Sequence, residues 1–394
     1  MISPTPVQQG NDVQAKFRIR NRSSRNITLQ RLLAAGRWST DPDLLNWSSP
    51  NNADFPNASS SQIVLKPGQA YDYVVKTHFD NQGYYFAEPW RQEAGNAGKY
   101  YTGGIWGGNR VYFMVGETVV ENVPLYLQTD RRWSTEPYGR YPETDRINTI
   151  GKWGCNLTSG AMIVSYHSNT LEHNPKVLNE WLRSNNGYDE NNYVIHNEVT
   201  RYACNKGVKL AFDGLLPGPN DQKLDGYLRE GNPVILGVVT TYGQHYVVAT
   251  GKMTINGRST YMINDPLLGK TILDEHYNNT YNQILLYRSS SKCGTKMVEI
   301  RVHSPVHLVV TDPLGRKSGY DPRTGATWNE IPDTGYVSET IVAPDGDALP
   351  ESKVMVIPNP VEGEYNFQVI GYDSGSYLVH LQETFSDVVK TGKT

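Results

Sequence analysis

The chain has 394 residues, 38% of them apolar and 20% charged, a globular composition too long for one ordinary core, so two or three domains are expected. A formal net charge of −3 without a Lys/Arg cluster disfavours nucleic acid and anionic membranes as partners, and no apolar run reaches the roughly 18 to 20 residues that cross a bilayer. Tyr (26) far outnumbers Phe (8), and 36 Gly with 23 Pro mark strands and turns rather than a helical bundle.

The opening Met1-Ile2-Ser3-Pro4 has neither the basic nor the apolar region of a signal peptide. Either the protein is cytosolic or a leader has been removed and a start Met supplied; the Asn- and Tyr-rich β modules favour the second, an extracellular or cell-surface protein. Residues 1–118 read as an antiparallel, Ig-like β-sandwich. Val13, Ala15, Phe17 and Ile19 alternate with Gln14, Lys16, Arg18 and Arg20, the period of a half-buried strand. Ile63-Val64-Leu65 runs through the turn Lys66-Pro67-Gly68 into a strand at Tyr71–Lys76, and Val111–Val115 closes the segment. Residues 39–61, rich in Ser, Asn, Asp and Pro, read as a long surface loop.

Residues 119–293 change character. Helical spacing at Leu157–His167, Pro175–Arg183, Glu198–Asn205 and Lys223–Glu230 is joined by strands at Pro233–Val239, Tyr246–Thr250, Thr260–Ile263 and Asn282–Tyr287. Helices first and an antiparallel sheet afterwards describe an α+β domain. Residues 294–394 return to β text, with strands at Met297–Val302, Val306–Thr311, Lys353–Ile357 and Tyr365–Val369, and read as a second antiparallel, Ig-like sandwich.

Three cysteines, Cys155, Cys204 and Cys293, exclude a disulfide framework and leave at least one free thiol. Cys204 and Cys293 read more simply as buried structural thiols than as a bonded pair. Cys155 is different. In Gly151-Lys152-Trp153-Gly154-Cys155-Asn156-Leu157 the glycines hold a tight turn and a helix begins at or just after the cysteine. A thiol at a helix N-terminus is biased towards thiolate by the unpaired N–H groups, and further by any nearby cation. The other reading of this segment alone is a small cysteine packed beneath the helix.

His245, in Gly243-Gln244-His245-Tyr246-Val247-Val248, opens a strand just after a glycine, where its ring can project from the sheet edge. The turn Asn256-Gly257 is a strong hairpin signal, and the return strand ends at Asp265 because Pro266 cannot continue a ladder. The hairpin carries His245 and Asp265 to the same end of the sheet. A tight turn pairs Asp265 with Val248, so a bulge near Gly251 is needed for the carboxylate to hold the imidazole. Gln128, in Val123-Pro124-Leu125-Tyr126-Leu127-Gln128-Thr129-Asp130-Arg131-Arg132-Trp133, has a side-chain amide able to donate to a developing oxyanion, though alone it reads as a surface residue.

Taken in order, the Gln128 segment, Gly154-Cys155 with Thr158-Ser159 and Ala161-Met162, Gly243-Gln244-His245-Tyr246-Val247-Val248 and Ile263-Asn264-Asp265-Pro266 resemble the papain-like cysteine peptidases related to the bacteriocin double-glycine leader peptidases. The resemblance covers some 170 positions. It implies a central papain-like fold with Gln128 in an oxyanion hole, Cys155 as nucleophile, His245 as general base and Asp265 orienting it. The sequence departs from that pattern in Asn156, where Gly is expected, and in a longer insertion between Gln128 and Cys155.

Gly103-Gly104-Ile105-Trp106-Gly107-Gly108 resembles a double-glycine cleavage site but reads better as a flexible loop. Neither His-Glu-x-x-His, Cys-x-x-Cys nor a phosphate loop occurs, so no metal and no cofactor is expected. The leading functional reading is a secreted cysteine peptidase acting on a peptide or protein substrate, with the sandwiches contacting a cell-surface or cell-wall component. The alternatives are a transpeptidase using the same residues, and a non-catalytic adhesion or scaffold protein with an inactive peptidase-like domain.

Overall fold

A computed structural model describes residues 2–3, 5–56, 62–95, 101–102, 110–241, 243–294, 296–303, 305–385 and 388–393. The Gly-rich run 103–108 lies outside the described residues. The chain divides into two compact units, Met1–Asn122 with Gly251–Thr260, and Val123–Thr250 with Tyr261–Thr394.

In the first unit, the strand Asp12–Arg20 buries Val13, Ala15 and Phe17 and exposes the polar residues between them. It pairs along its length with Ala70–His78. A second sheet runs in the order Val7–Gln8, Val111–Gly116, Gly83–Glu93, Ile27–Ser39, Asn51–Asn52. The two sheets share one core, where Phe17, Tyr73 and Val75 meet Leu29, Tyr85 and Phe113. The pairing is not wholly antiparallel, since Val115 and Gly116 lie parallel to Val7 and Gln8. Nor is residues 39–61 all surface loop. Ala53 and Phe55 are buried, and their N–H groups donate to the carbonyls of Gly36 (3.1 Å) and Ala34 (2.8 Å). Two apolar residues spaced by two draw this stretch onto the core, a period hidden by its polar surroundings.

In the second unit, the helices Cys155–Ser168, Pro175–Ser184, His196–Asn205 and Asp221–Arg229 accompany a sheet ordered Leu210–Pro217, Gln283–Ser289, Val234–Val239, Gln244–Ile255, Arg258–Asp265, Gly269–Ile272. The Cys155 helix is buried on every side from Cys155 through Ser165, which makes it the central helix. Pro175–Ser184 starts where its residues dictate, with Asn174 accepting from the Lys176 and Val177 N–H groups and Pro175 in the first turn. Two short helices, Ile150–Trp153 and Leu273–Tyr277, carry too few residues for a periodic signal.

The C-terminal part of the same unit is two antiparallel sheets. One is ordered Gly335–Glu339, Ser352–Pro358, Met297–His303, Leu378–Phe385, Val388–Lys393, the other Ala326–Asn329, Lys317–Asp321, Val306–Thr311, Asn366–Gly371. Ile300, Met355 and Ile357 of the first pack on Leu308 and Val310 of the second. Every residue of Met297–His303 and of Ser352–Pro358 is buried, so these strands have no solvent face. The second face of Met297–His303 meets the segment leading into the His196–Asn205 helix, where Glu299 Oε2 accepts from the His196 N–H (3.2 Å) and Arg301 Nη2 donates to the Val194 carbonyl (3.1 Å).

Candidate active site

The one-turn helix Ile150–Trp153 delivers the chain into Gly154, the N-cap of the Cys155 helix. The turn is tight. The Gly154 N–H donates to the Ile150 carbonyl at 2.8 Å, and a Cβ on Gly154 would lie 2.5 Å from that oxygen. Only glycine fits. Cys155 is therefore the first helical residue, and it is buried.

The second side chain comes from the sheet. His245 is the second residue of Gln244–Ile255 and pairs with Val238 across the neighbouring strand. Asn256 and Gly257 both have positive φ (50° and 75°), the type I′ turn expected from their sequence. The return strand ends at Asp265, and His245 Nε2 lies 2.9 Å from Asp265 Oδ1. A cross-tie fixes the helix to the same strand, since Ser159 Oγ donates to the Tyr246 carbonyl at 3.4 Å.

Asp265 is buried and richly satisfied. Its Oδ1 also accepts from the Leu267 N–H (2.7 Å) and its Oδ2 from the Tyr277 hydroxyl (2.6 Å). Burial alone would raise its pKa, but the bonds and charge of His245, with Tyr277 and the Leu267 N–H, carry it below the usual range. The opposite holds for His245. Burial favours its neutral form, yet the hydrogen bond to Asp265, then that to Cys155, and the charges of both push its pKa up to about 10. The ring thus has Asp265 on one nitrogen and the Cys155 thiol as its other polar partner.

Gln128 is buried between these elements rather than on the surface. Its backbone N–H donates to the Pro266 carbonyl (2.8 Å), and its Nε2 donates to the Gly151 carbonyl (2.9 Å). It therefore joins the end of the Asp265 strand to the turn leading into Cys155, with one amide hydrogen left over. Its Oε1 is buried without a partner among the described residues.

Residues 120–287 match the model of the Peptidase_C39 like family. This segment is a C39-like domain. No curated protein matches the chain. All four residues singled out from the sequence fall inside the C39-like segment, and Cys155, His245 and Asp265 converge in it. Sequence reasoning missed Tyr277, which backs Asp265 and whose ring lies 6.4 Å from that of His245, centroid to centroid. It follows Asp274-Glu275-His276 in a short helix and carries no signal of its own.

Cys204 and Cys293 are both free. Cys204 is only half-buried, short of the buried thiol expected, and burial followed by the neighbouring Cys293 pushes its pKa up to about 12. Cys293 is exposed rather than buried, because it sits in the turn after Gln283–Ser289 rather than in a core element. Among the described residues no group of three His, Cys, Asp or Glu side chains is placed to hold a metal ion, and no helix is long and apolar enough to cross a membrane.

Proposed function

We propose that this protein hydrolyses peptide bonds through Cys155, His245 and Asp265. The observation that carries the reading is the His245 ring, held by Asp265 at 2.9 Å and facing a thiol at a helix start. In this mechanism the Cys155 sulfur attacks the scissile carbonyl carbon, and the carbonyl π electrons move to oxygen. The Cys155 N–H and the free amide hydrogen of Gln128 receive that oxyanion. On collapse the C–N bond breaks and the His245 imidazolium gives its proton to the leaving amine, leaving a thioester. Water then attacks the thioester, His245 takes its proton, the S–C bond breaks, and a carboxylic acid is released.

His245 keeps its proton to about pH 10, so the general acid is charged at neutral pH. Asp265 contributes by fixing which nitrogen carries the proton and by countering the imidazolium charge. Secretion, a surface or wall partner, and an Ig-like character for the two flanking sheet-rich regions belong to the same reading, with those regions carrying or docking the enzyme.

A peptide-library digest with intact protein and with Cys155→Ala tests the proposal. Cleavage by the first and none by the second is expected. Equal cleavage by both, or no alkylation of Cys155 by iodoacetamide at pH 6 in folded protein, would overturn it. A labelled amine added to the digest reports transpeptidation if it enters the products.

A further inference from the structure

We infer that the C-terminal sheets supply part of the catalytic unit, with Arg301 and Glu339 as positioning residues for the segments that carry Cys155 and His245. This rests on the peptidase reading above and adds a role for residues beyond residue 287.

A single buried polar chain runs behind the site. It begins at Asn156, the residue after Cys155, whose side-chain amide meets His196 Nε2 at 3.4 Å; because His196 Nδ1 accepts from Arg301, Nε2 carries the ring hydrogen and donates to the amide oxygen. His196 Nδ1 lies 3.3 Å from Arg301 Nη2, which also donates to the Val194 carbonyl at 3.1 Å. Arg301 Nε donates to Glu299 Oε1 (3.0 Å), and Arg301 Nη1 donates to Glu339 Oε1. Glu339 Oε2 accepts from the hydroxyl of Tyr246, the residue after His245. The His196 N–H closes the remaining position by donating to Glu299 Oε2 at 3.2 Å. All four carboxylate oxygens are thus met, and Arg301 is fully buried.

Two features separate this from ordinary packing between sheets. First, the chain ends on the two residues that immediately follow the thiol and the imidazole, one on the helix and one on the strand. A shift of Glu339 is transmitted to both. Second, the same C-terminal segment ties the two flanks again at the site's rim. Thr340–Val342 continues from Glu339 and pairs with Gln244, which directly precedes His245: the Gln244 N–H donates to the Thr340 carbonyl (2.9 Å) and the Val342 N–H to the Gln244 carbonyl (3.3 Å). A few residues on, Asp345 pairs with Lys152 at 2.9 Å, three positions before Cys155. Gly243 has no room for a side chain against Val342. The Asn156 departure from the expected Gly now has a physical reason, since glycine could not reach His196.

The test uses the full chain and the variants Tyr246→Phe, Asn156→Ala and Glu339→Gln, the last keeping the shape of the side chain while removing its charge. Alkylation of Cys155 by iodoacetamide is followed peptide by peptide from pH 5 to 10, with exposed Cys293 as the internal reference. Thermal melts establish that each variant is folded. A misplacement of order 1 Å can cost about 100-fold in a reaction needing alignment, so a drop of roughly 10- to 100-fold in Cys155 reactivity at pH 6 is expected, with Cys293 unchanged. Wild-type Cys155 profiles in folded Tyr246→Phe and Asn156→Ala proteins would overturn the inference and leave the peptidase reading intact. If Cys155 in the unaltered protein reacts no faster than Cys293 at pH 6, the peptidase reading itself fails and the inference falls with it.

Discussion

Replacing Asp265 with Asn removes one charge while leaving an oxygen to face His245 Nε2. The gap between about 10 and the ordinary 6.5 for His245 corresponds to roughly 5 kcal/mol at about 1.4 kcal/mol per pH unit. Hydrogen bonds to a charged partner contribute about 1.5–3 kcal/mol against about 1 for a neutral one. The substitution should therefore cost the imidazolium about 0.5–2 kcal/mol, moving its deprotonation down to about pH 8.5–9.5. The assay compares iodoacetate with iodoacetamide at Cys155, because a protonated imidazole attracts the anionic reagent and not the neutral one. The rate ratio should break near pH 10 in the unaltered protein and lower in Asp265→Asn. Stability follows the same sign. His245 binds its proton more tightly folded than unfolded, so its contribution is complete below about pH 6.5 and fades as pH climbs through about 10. Asp265, held below its ordinary value of 3.8, contributes above that value and loses its contribution as pH falls. An unchanged break in the rate ratio of folded Asp265→Asn would refute the assignment of the His245 charge to this pair.

Tyr277→Phe deletes the hydroxyl that donates to Asp265 Oδ2 at 2.6 Å; it should lower stability by about 1–3 kcal/mol in a denaturant titration and shift the iodoacetate-to-iodoacetamide break slightly upward, since the carboxylate turns more fully to His245. Gln128→Ala should lower kcat/KM on a cleaved peptide by about 100- to 1,000-fold while leaving the alkylation rate of Cys155 nearly unchanged, because alkylation builds no oxyanion; a parallel loss of both would make Gln128 a structural tie between Gly151 and Pro266 only. Gly154→Ala should push the Ile150 carbonyl aside, costing about 1–3 kcal/mol in a thermal melt and most of the Cys155 reactivity.

The local signals proved legible where a single principle decided the outcome. Val13, Ala15 and Phe17 show in their spacing which face they bury, and Asn256-Gly257 shows its turn, because both depend on neighbours in sequence. Cys155 as first helical residue could be read from the glycines before it. The contacts that give the site its electrostatics could not. Tyr277 reaches Asp265 from a one-turn helix, and Gln128 reaches Gly151 over 23 positions, links with no periodicity to announce them. Ala53 and Phe55 were hidden for a related reason, since two apolar residues in a polar stretch look like loop until a sheet is there to receive them.

The C-terminal sheets raise a sharper point about what a domain boundary in sequence means. A strand such as Met297–His303, Met-Val-Glu-Ile-Arg-Val-His, alternates as though Glu299 and Arg301 faced water. Both are instead fully covered. Burying an arginine and two carboxylates costs several kcal/mol per ion unless each is paired and hydrogen-bonded, and well-packed apolar side chains usually serve stability as well or better. Burial leaves the Glu299 carboxyl disfavoured as an anion, yet the facing His196 and Arg301 hold its pKa below the usual carboxylate range, so Glu299 stays ionised. An arrangement of this kind confers direction rather than net stability: the guanidinium donates to its partners in one fixed geometry, and the chain it anchors ends at Asn156 and Tyr246. A mere spacer between an enzyme and a surface has no need of that precision at its junction. The alternation that reads as a half-solvated strand is, in this chain, the means by which the second sheet module grips the back of the Cys155–His245 site.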